Sequence, residues 1–341
     1  MTTATSPKVR AWTYTHSGYP YTLNLSTLPA PSSEPQPHHL LIQIHACALN
    51  PVDIQLMNLP IWSLPKMSYP KTPGADFSGT VLASGPLCTY SPGDEILGFS
   101  LGKSTNGFLA ETVDLNEEHA CIVKKPSAWS WAQAAALPLV WLTARTCVEM
   151  CGGYVKKEGN RRVVVLGGSS GVGMYVCYLA RERGWEVLAT CSGKNAEFVK
   201  GMGADIVVDY TAQDVVSEAK KYAPAATIDC VGGTDCIGIA PQYISIVGDK
   251  TSRSTMGGSA LYWTHPMMML RYYLGKFGLG KSYHCIVLDA KKDYLEEALR
   301  LPTDKIIIDS TFDFGRAKEA YERLDTARAR GKVVVQIKES S

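Results

Sequence analysis

The sequence predicts an α/β fold, with a β-rich first part and a doubly wound parallel sheet in the second. Three observations carry that expectation. Residues 71–124 read as short strands separated by turn signals (Pro73-Gly74, Ser84-Gly85-Pro86, Ser91-Pro92-Gly93-Asp94, Asn106-Gly107), the pattern of a compact barrel or sandwich. From residue 161 onward, β-branched runs alternate with helical stretches, which places parallel strands in one sheet. Between the first of those runs and its helix lies the loop Gly167-Gly168-Ser169-Ser170-Gly171-Val172-Gly173.

Taken in order, residues 8–28 and 40–46 alternate or cluster in strand fashion, joined by a Pro/Ser-rich connection over 29–39. Residues 128–151 carry Ala, Leu and Trp at helical spacing, broken at Pro138. A strand over 161–166 leads through the glycine loop into a helix ending at Arg183-Gly184, and further strands are expected at 186–190, 205–208, 226–231 and 243–247. Residues 251–285, with Met267-Met268-Met269, follow neither period clearly. A helix over 314–328, with Ala, Tyr and Leu on one face, and a strand over 332–337 close the chain.

A length of 341 residues fits about two domains. At 45% hydrophobic the chain can bury a sizeable core. Its net charge of +2 is spread along the chain, which argues against a nucleic-acid partner and against a polybasic membrane surface. No run approaches the roughly 20 apolar residues that cross a bilayer, and the first residues show neither a secretory nor a mitochondrial pattern. A cytoplasmic protein is therefore expected. None of the ten cysteines forms a Cys-x-x-Cys pair, so they read as free thiols, with Cys147 and Cys151 on one helix face.

The glycine loop is the strongest chemical signal. A dinucleotide pyrophosphate needs backbone amides aimed at it, no side chain in the way, and a helix N-terminus behind it. Gly171 and Gly173 supply the first two glycines of a G-x-G-x-x-G pattern, while Val176 takes the third position. The strand at 186–190 should end over the adenosine ribose, where NAD enzymes place an acidic residue. Here the chain reads Thr190-Cys191-Ser192-Gly193-Lys194-Asn195, without a carboxylate. A lysine beside hydroxyls suits a 2′-phosphate, so the expected cofactor is NADPH. The bland alternatives are a solvated Lys194 and a Ser192 that caps a helix.

These motifs resemble the zinc-independent quinone oxidoreductase and enoyl reductase branch of the medium-chain dehydrogenase/reductase superfamily. The resemblance runs through Asn50-Pro51-Val52-Asp53, Pro73-Gly74-Ala75-Asp76-Phe77-Ser78-Gly79, Gly107-Phe108-Leu109-Ala110-Glu111, Leu142-Thr143-Ala144, the glycine loop, Gly203-Ala204-Asp205 and Arg330-Gly331-Lys332-Val333-Val334. The phrase Thr190-Cys191-Ser192 is similar to trans-acting enoyl reductases of fungal polyketide synthesis. The resemblance implies a GroES-like catalytic domain from residues 1–138 and 289–341, with a Rossmann domain inserted at 139–288. It implies cofactor contacts at Thr143, Ser170, Gly171, Val172, Gly173, Ser192, Lys194, Tyr210, Cys230, Val231, Val247 and Gly248. Tyr210 read alone is an ordinary tyrosine after a strand, and Cys230 and Val231 read alone are strand-end packing.

The zinc-binding members of that superfamily place a Cys where this chain has Asn50 and a His where it has Ala75, so no metal is expected. His45 and Cys47, two apart on a strand, lack a third ligand nearby and read as structural. Without a Lewis acid, an acceptor that spreads charge by conjugation is the easier one to reduce. The expected substrate is thus a small-molecule or carrier-bound enone, quinone or enoyl group. Asn50 and Asp53 are the candidates for orienting substrate or cofactor, with a turn-forming role as the alternative. Trp62, Tyr69 and Trp263 are pocket walls or core residues. Two further readings stand: a trans-acting enoyl reductase of a secondary-metabolite pathway, and a non-catalytic NADPH-binding sensor. A monomer and a homodimer are both compatible with the sequence.

Overall fold

The structure is a computed structural model that describes residues 7–15, 18–59, 70–101, 106–157, 159–250 and 257–338. The chain separates into two units, Met1–Leu139 with Ala290–Ser341, and Val140–Asp289.

In the first unit, β1 (Lys8–Thr13) and β2 (Asn24–Pro29) form an antiparallel pair. The long strand β3 (His39–Leu49) organises the main sheet. It pairs antiparallel with β4 (Asp76–Ser84), β6 (Thr112–Asn116) and β15 (Lys332–Gln336). Beyond β4 lie β5 (Glu95–Phe99) and β7 (Cys121–Lys124), and β14 (Ile308–Asp313) runs parallel to β15 at the other edge. The closing strand of the chain thereby completes the sheet begun at residue 39. Leu40, Ile42, Ile44, Phe77, Val81, Phe108, Val333 and Val335 form its core. Helix α1 (Pro51–Met57) follows β3 directly. The expected helix over 314–328 is α9 (Ala317–Asp325), preceded by a 3-10 turn at Phe314–Arg316. Its buried Ala317, Ala320, Tyr321 and Leu324 repeat at three- and four-residue steps, the stripe of a helix lying on a sheet.

Pro138 does not interrupt a helix. It opens α3 (Pro138–Lys157), after the short α2 (Trp131–Ala135). At a first helical position the missing N–H costs nothing and the fixed φ favours the helix.

In the second unit, the β-branched runs form one parallel sheet in the order β10-β9-β8-β11-β12-β13. The strands are β8 (Arg162–Leu166), β9 (Glu186–Cys191), β10 (Ile206–Asp209), β11 (Ala226–Asp229), β12 (Gln242–Ser245) and β13 (Ser282–Cys285). Counted within the unit this is the order 3-2-1-4-5-6 of dinucleotide-binding sheets. Helices α4 (Gly173–Glu182), α5 (Ala196–Gly201) and α6 (Val215–Tyr222) link the early strands. Residues 257–285 become a 3-10 turn (Gly258–Trp263), helix α7 (Pro266–Lys276) and β13. Strands β11 and β12 each stop two residues short of expectation, at Asp229 and Ser245, because those side chains capture the next amides and turn the chain. Among the described residues no helix is long and apolar enough to cross a membrane.

Candidate active site

The glycine loop is pinned from the neighbouring strand. Thr190 on β9 accepts the Gly167 N–H through its hydroxyl (2.9 Å) and the Gly168 N–H through its carbonyl (2.8 Å). Within the loop, the Ser170 N–H meets the Gly167 carbonyl at 3.0 Å and the Gly173 N–H meets the Ser170 hydroxyl at 3.0 Å. Gly167 has φ +82°, and a Cβ on Gly173 would lie 2.1 Å from the Gly167 oxygen. Both glycines are thus required by the turn itself, before any ligand is considered. Among the described residues, the N–H groups of Gly171 and Val172 have no protein acceptor. They stand at the start of the ten-residue α4, whose dipole adds partial positive charge there. Two free amides at a helix start, with no bulky side chain on the turn, fit a pyrophosphate.

At the end of β9, Ser192 precedes a 3-10 turn at Gly193–Asn195. Its hydroxyl does not cap that turn; it accepts from Asn195 Nδ2 at 3.3 Å. Lys194 is exposed on the same turn. Tyr210, more than half exposed, is held alongside by its N–H to the Cys191 carbonyl (3.2 Å). Sequence reasoning missed Asp209. Its carboxylate binds the Thr211 N–H (2.9 Å) and hydroxyl (2.7 Å) and accepts the Gly193 N–H. Those bonds, Thr211's first, hold its pKa below the ordinary value. The stretch 190–195 has no acid of its own, yet the neighbouring strand brings one to it. The signal was the parallel register, which sets Asp209 opposite Cys191.

Two further loops are tied by one buried carboxylate that the sequence reading also passed over. Asp229 Oδ1 accepts the N–H groups of Val231 (2.9 Å) and Gly232 (2.8 Å), and its Oδ2 accepts the Ser245 hydroxyl (2.8 Å). The Ser245 oxygen in turn accepts from Val247 (3.2 Å) and Gly248 (2.8 Å). Cys230–Val231 and Val247–Gly248 are therefore set by a single Asp–Ser pair. Val231 stands against the glycine loop: a Cβ on Gly167 would meet its Cγ1 at 2.4 Å. Cys230 is buried, Val231 half-exposed, and Thr143 is buried on α3. An acid at a strand end, three residues before a Gly-Gly pair, was the available clue.

In the first unit, Asn50 and Asp53, the candidates for orienting substrate or cofactor, do not face solvent. Both are buried, with Asp76 and Lys332. Asp53 Oδ2 accepts the Asn50 N–H at 2.8 Å, closing the start of α1. Asn50 Nδ2 donates to Asp76 Oδ2 (2.9 Å) and the Ala48 carbonyl (3.3 Å), while Asn50 Oδ1 accepts from the Lys332 ammonium. Lys332 also pairs with Asp76 at 3.0 Å, and the other Asp76 oxygen takes the Leu139 N–H at 2.8 Å. The Asn50 amide is fully engaged inside the protein. Burial raises the Asp53 pKa to about 7, against the opposing pull of the Asn50 N–H and Lys332. Burial raises Asp76 as well, opposed chiefly by Lys332. Lysine is almost never fully buried without a partner, so a Lys opening the run Lys332-Val333-Val334-Val335 was the sequence clue.

The donor set around Asn50 and Ala75 offers neither thiolate nor imidazole and does not fit zinc. A bulge in β3 between Ile44 and Ala46 separates the other two suspects. Cys47 lies in the core, whereas His45 stacks on Trp131 (3.9 Å) and meets the Thr80 hydroxyl at 3.0 Å. Among the described residues, no group of three or more His, Cys, Asp or Glu could hold a metal ion. All ten cysteines are free. Trp62 and Tyr69 lie outside the described residues; Trp263, expected in a core or pocket wall, is 87% exposed.

Residues 36–152 match the alcohol dehydrogenase GroES-like domain, and residues 202–335 match the zinc-binding dehydrogenase family. The trans-enoyl reductase pgmF of Aspergillus terreus is 28% identical over 360 residues, covering 100% of this chain and 99% of that protein. The mitochondrial NAD(P)H oxidoreductase RTN4IP1 of Mus musculus is 30% identical, covering 88% of this chain and 82% of that protein. The structure of the quinone oxidoreductase from Coxiella burnetii shares the fold, with a TM-score of 0.79 at 24% identity over 97% of this chain and 100% of that one. Parallel sheet, GroES-like unit and these relatives agree on a nicotinamide-using oxidoreductase, and the chain belongs to the medium-chain dehydrogenase/reductase superfamily, in its quinone oxidoreductase and enoyl reductase-like branch.

Proposed function

We propose that the protein is an NADPH-dependent reductase of a conjugated acceptor (an enone, a quinone or an enoyl group) that works without a metal. The observation that carries this reading is the pair of amides at Gly171 and Val172 without a protein acceptor among the described residues, opening α4 beside the end of β9, which bears Ser192 and Lys194, with Tyr210 alongside after β10. The amides and the α4 dipole hold the pyrophosphate, and Lys194 with Ser192 binds the 2′-phosphate. Asp209 opposes that preference, so Lys194 must outweigh it for NADPH to win over NADH. The Asp229–Ser245 pair sets the loops 230–231 and 247–248 toward the ribose and nicotinamide.

Bound NADPH would supply a hydride to the β-carbon of an enone or enoyl acceptor, and water or a side chain would deliver the balancing proton to the α-carbon of the resulting enolate. Such an acceptor delocalises its charge, which agrees with an Asn50–Asp76–Lys332 cluster that leaves no position for a Lewis acid. Asn50, Asp53, Asp76 and Lys332 are positioning residues: they lock the end of β3 to the start of α1.

The full-length match to a trans-enoyl reductase favours an enoyl thioester on a carrier as the second reading. The deciding experiment follows NADPH oxidation with a quinone, a simple enone and an enoyl thioester in parallel. Turnover on one or more of them, with no stoichiometric zinc in the purified protein and no loss to a chelator, is the expected result. Tight NADPH binding without turnover on any of the three would make the protein a sensor and overturn the assignment.

A further inference from the structure

We propose that Asp249, Arg271 and Tyr283 form a brace that positions the nicotinamide end of the cofactor site, an inference that rests on the NADPH reading above. The loop after β12 carries Val247 and Gly248, and the Ser245 hydroxyl accepts both of their N–H groups. That hydroxyl fixes only the start of the loop. Its far end is held through the next side chain, Asp249. One Asp249 oxygen takes the Arg271 guanidinium of α7 at 2.6 Å, and the other takes the Tyr283 hydroxyl of β13 at 2.9 Å. Arg271 also lies over the Tyr283 ring, 5.5 Å from its centroid. The three side chains hold one another, and each comes from a different part of the unit.

Two sets of contacts tie this brace to the cofactor loops. Gly248 has φ +85°, and a Cβ there would stand 2.8 Å from Leu261 Cδ1 and 3.0 Å from Met268 Cε. The loop thus passes hard against the 3-10 turn and α7, and the seat of α7 limits where it can lie. On the sheet side, the Tyr283 ring lies parallel to that of Tyr243 (5.9 Å, 5°), whose hydroxyl donates to Asp229. Asp229 is the carboxylate that turns the chain at Val231 and Gly232. Polar and aromatic contacts therefore run without a break from α7 to the loops after β11 and β12. The Arg271–Asp249 pair keeps some access to solvent, and such a pair adds little to stability. Its effect belongs instead to binding, because a loop already held in place spares the ordering cost when the cofactor arrives.

The test compares two ligands on the full chain, NADPH and adenosine 2′,5′-bisphosphate, which has the 2′-phosphate but lacks the nicotinamide half. Arg271→Met, and separately Asp249→Ala, should each raise the NADPH Kd by about tenfold, while the Kd of adenosine 2′,5′-bisphosphate stays within about twofold of the parent's. Arg271→Lys keeps a cation for Asp249 and should recover most of the loss. All are measured well below the melting temperature of each variant. A parent-like NADPH Kd in either Arg271→Met or Asp249→Ala overturns the inference and confines the brace to stability. Equal losses for the two ligands also overturn it, because the damage would then reach the adenosine end. A parent protein that binds neither ligand overturns the cofactor reading itself, and the inference falls with it.

Discussion

Lys194 and Asp209 place opposite charges at the same end of the parallel sheet, on adjacent strands. On the proposed reading their balance decides between two cofactors that differ by one phosphate. Lys194→Ala is expected to raise the NADPH KM by one to two orders of magnitude, about 1.4–2.7 kcal/mol of charge-assisted contact, while NADH kinetics change little. An equal loss with both cofactors would remove Lys194 from the 2′-phosphate. Asp53 makes a separate statement about pH. Its folded pKa of about 7 lies above its ordinary value of 3.8, so between those values the folded state holds a proton that the unfolded state has released. Stability from this group therefore declines as pH rises from about 4 to about 7. Asp53→Asn keeps an oxygen for the Asn50 N–H and should flatten that slope, as read from denaturant midpoints across the window.

At the scale of elements, β11 and β12 end where they do because Asp229 and Ser245 draw the following amides inward. A strand tip that would otherwise run on becomes a loop with fixed N–H directions. Ser245→Ala removes the acceptor for Val247 and Gly248 and the donor to Asp229. The expected cost is about 1–3 kcal/mol of stability, since buried polar groups are left unmatched. The NADPH KM should rise about tenfold with kcat less affected, because loop placement acts on binding. A KM equal to the parent's, in a variant that melts lower, would confine the pair to a structural role. Thr190 does for the glycine loop what Asp229 does for these two: a side chain on one strand tip fixes the backbone of the next.

At the scale of the molecule, β3 and β4 share one sheet with β14 and β15 from the far end of the sequence, and β15 delivers Lys332 to Asn50 and Asp76 across more than 250 positions of chain. The pair is wholly buried, so removing one partner strands the other's charge. Lys332→Met is expected to destabilise the protein by about 3–5 kcal/mol, measured by urea unfolding. Adding Asp76→Leu to it should recover part of that loss, and no recovery would mean that the ammonium's contact with Asn50 matters more than the ion pair.

What the sequence determined by itself was whatever depends on neighbours in the chain. The strand–glycine–helix phrase at 161–183, the β-branched runs and the turn signals of 71–124 are local patterns, and backbone sterics with side-chain period suffice to read them. Only the tertiary structure decided which side chains meet. Asp209 reaches Gly193 from another strand, Asp229 governs a loop after β12, and Lys332 finds Asn50. Asn50 and Asp53 face inward, because Lys332, Asp76 and the Ala48 carbonyl hold the polar atoms of the Asn50 side-chain amide and Asp53 takes its backbone N–H. Pairing in a sheet joins residues by register rather than by sequence distance, and burial settles which of their polar groups remain open to a ligand.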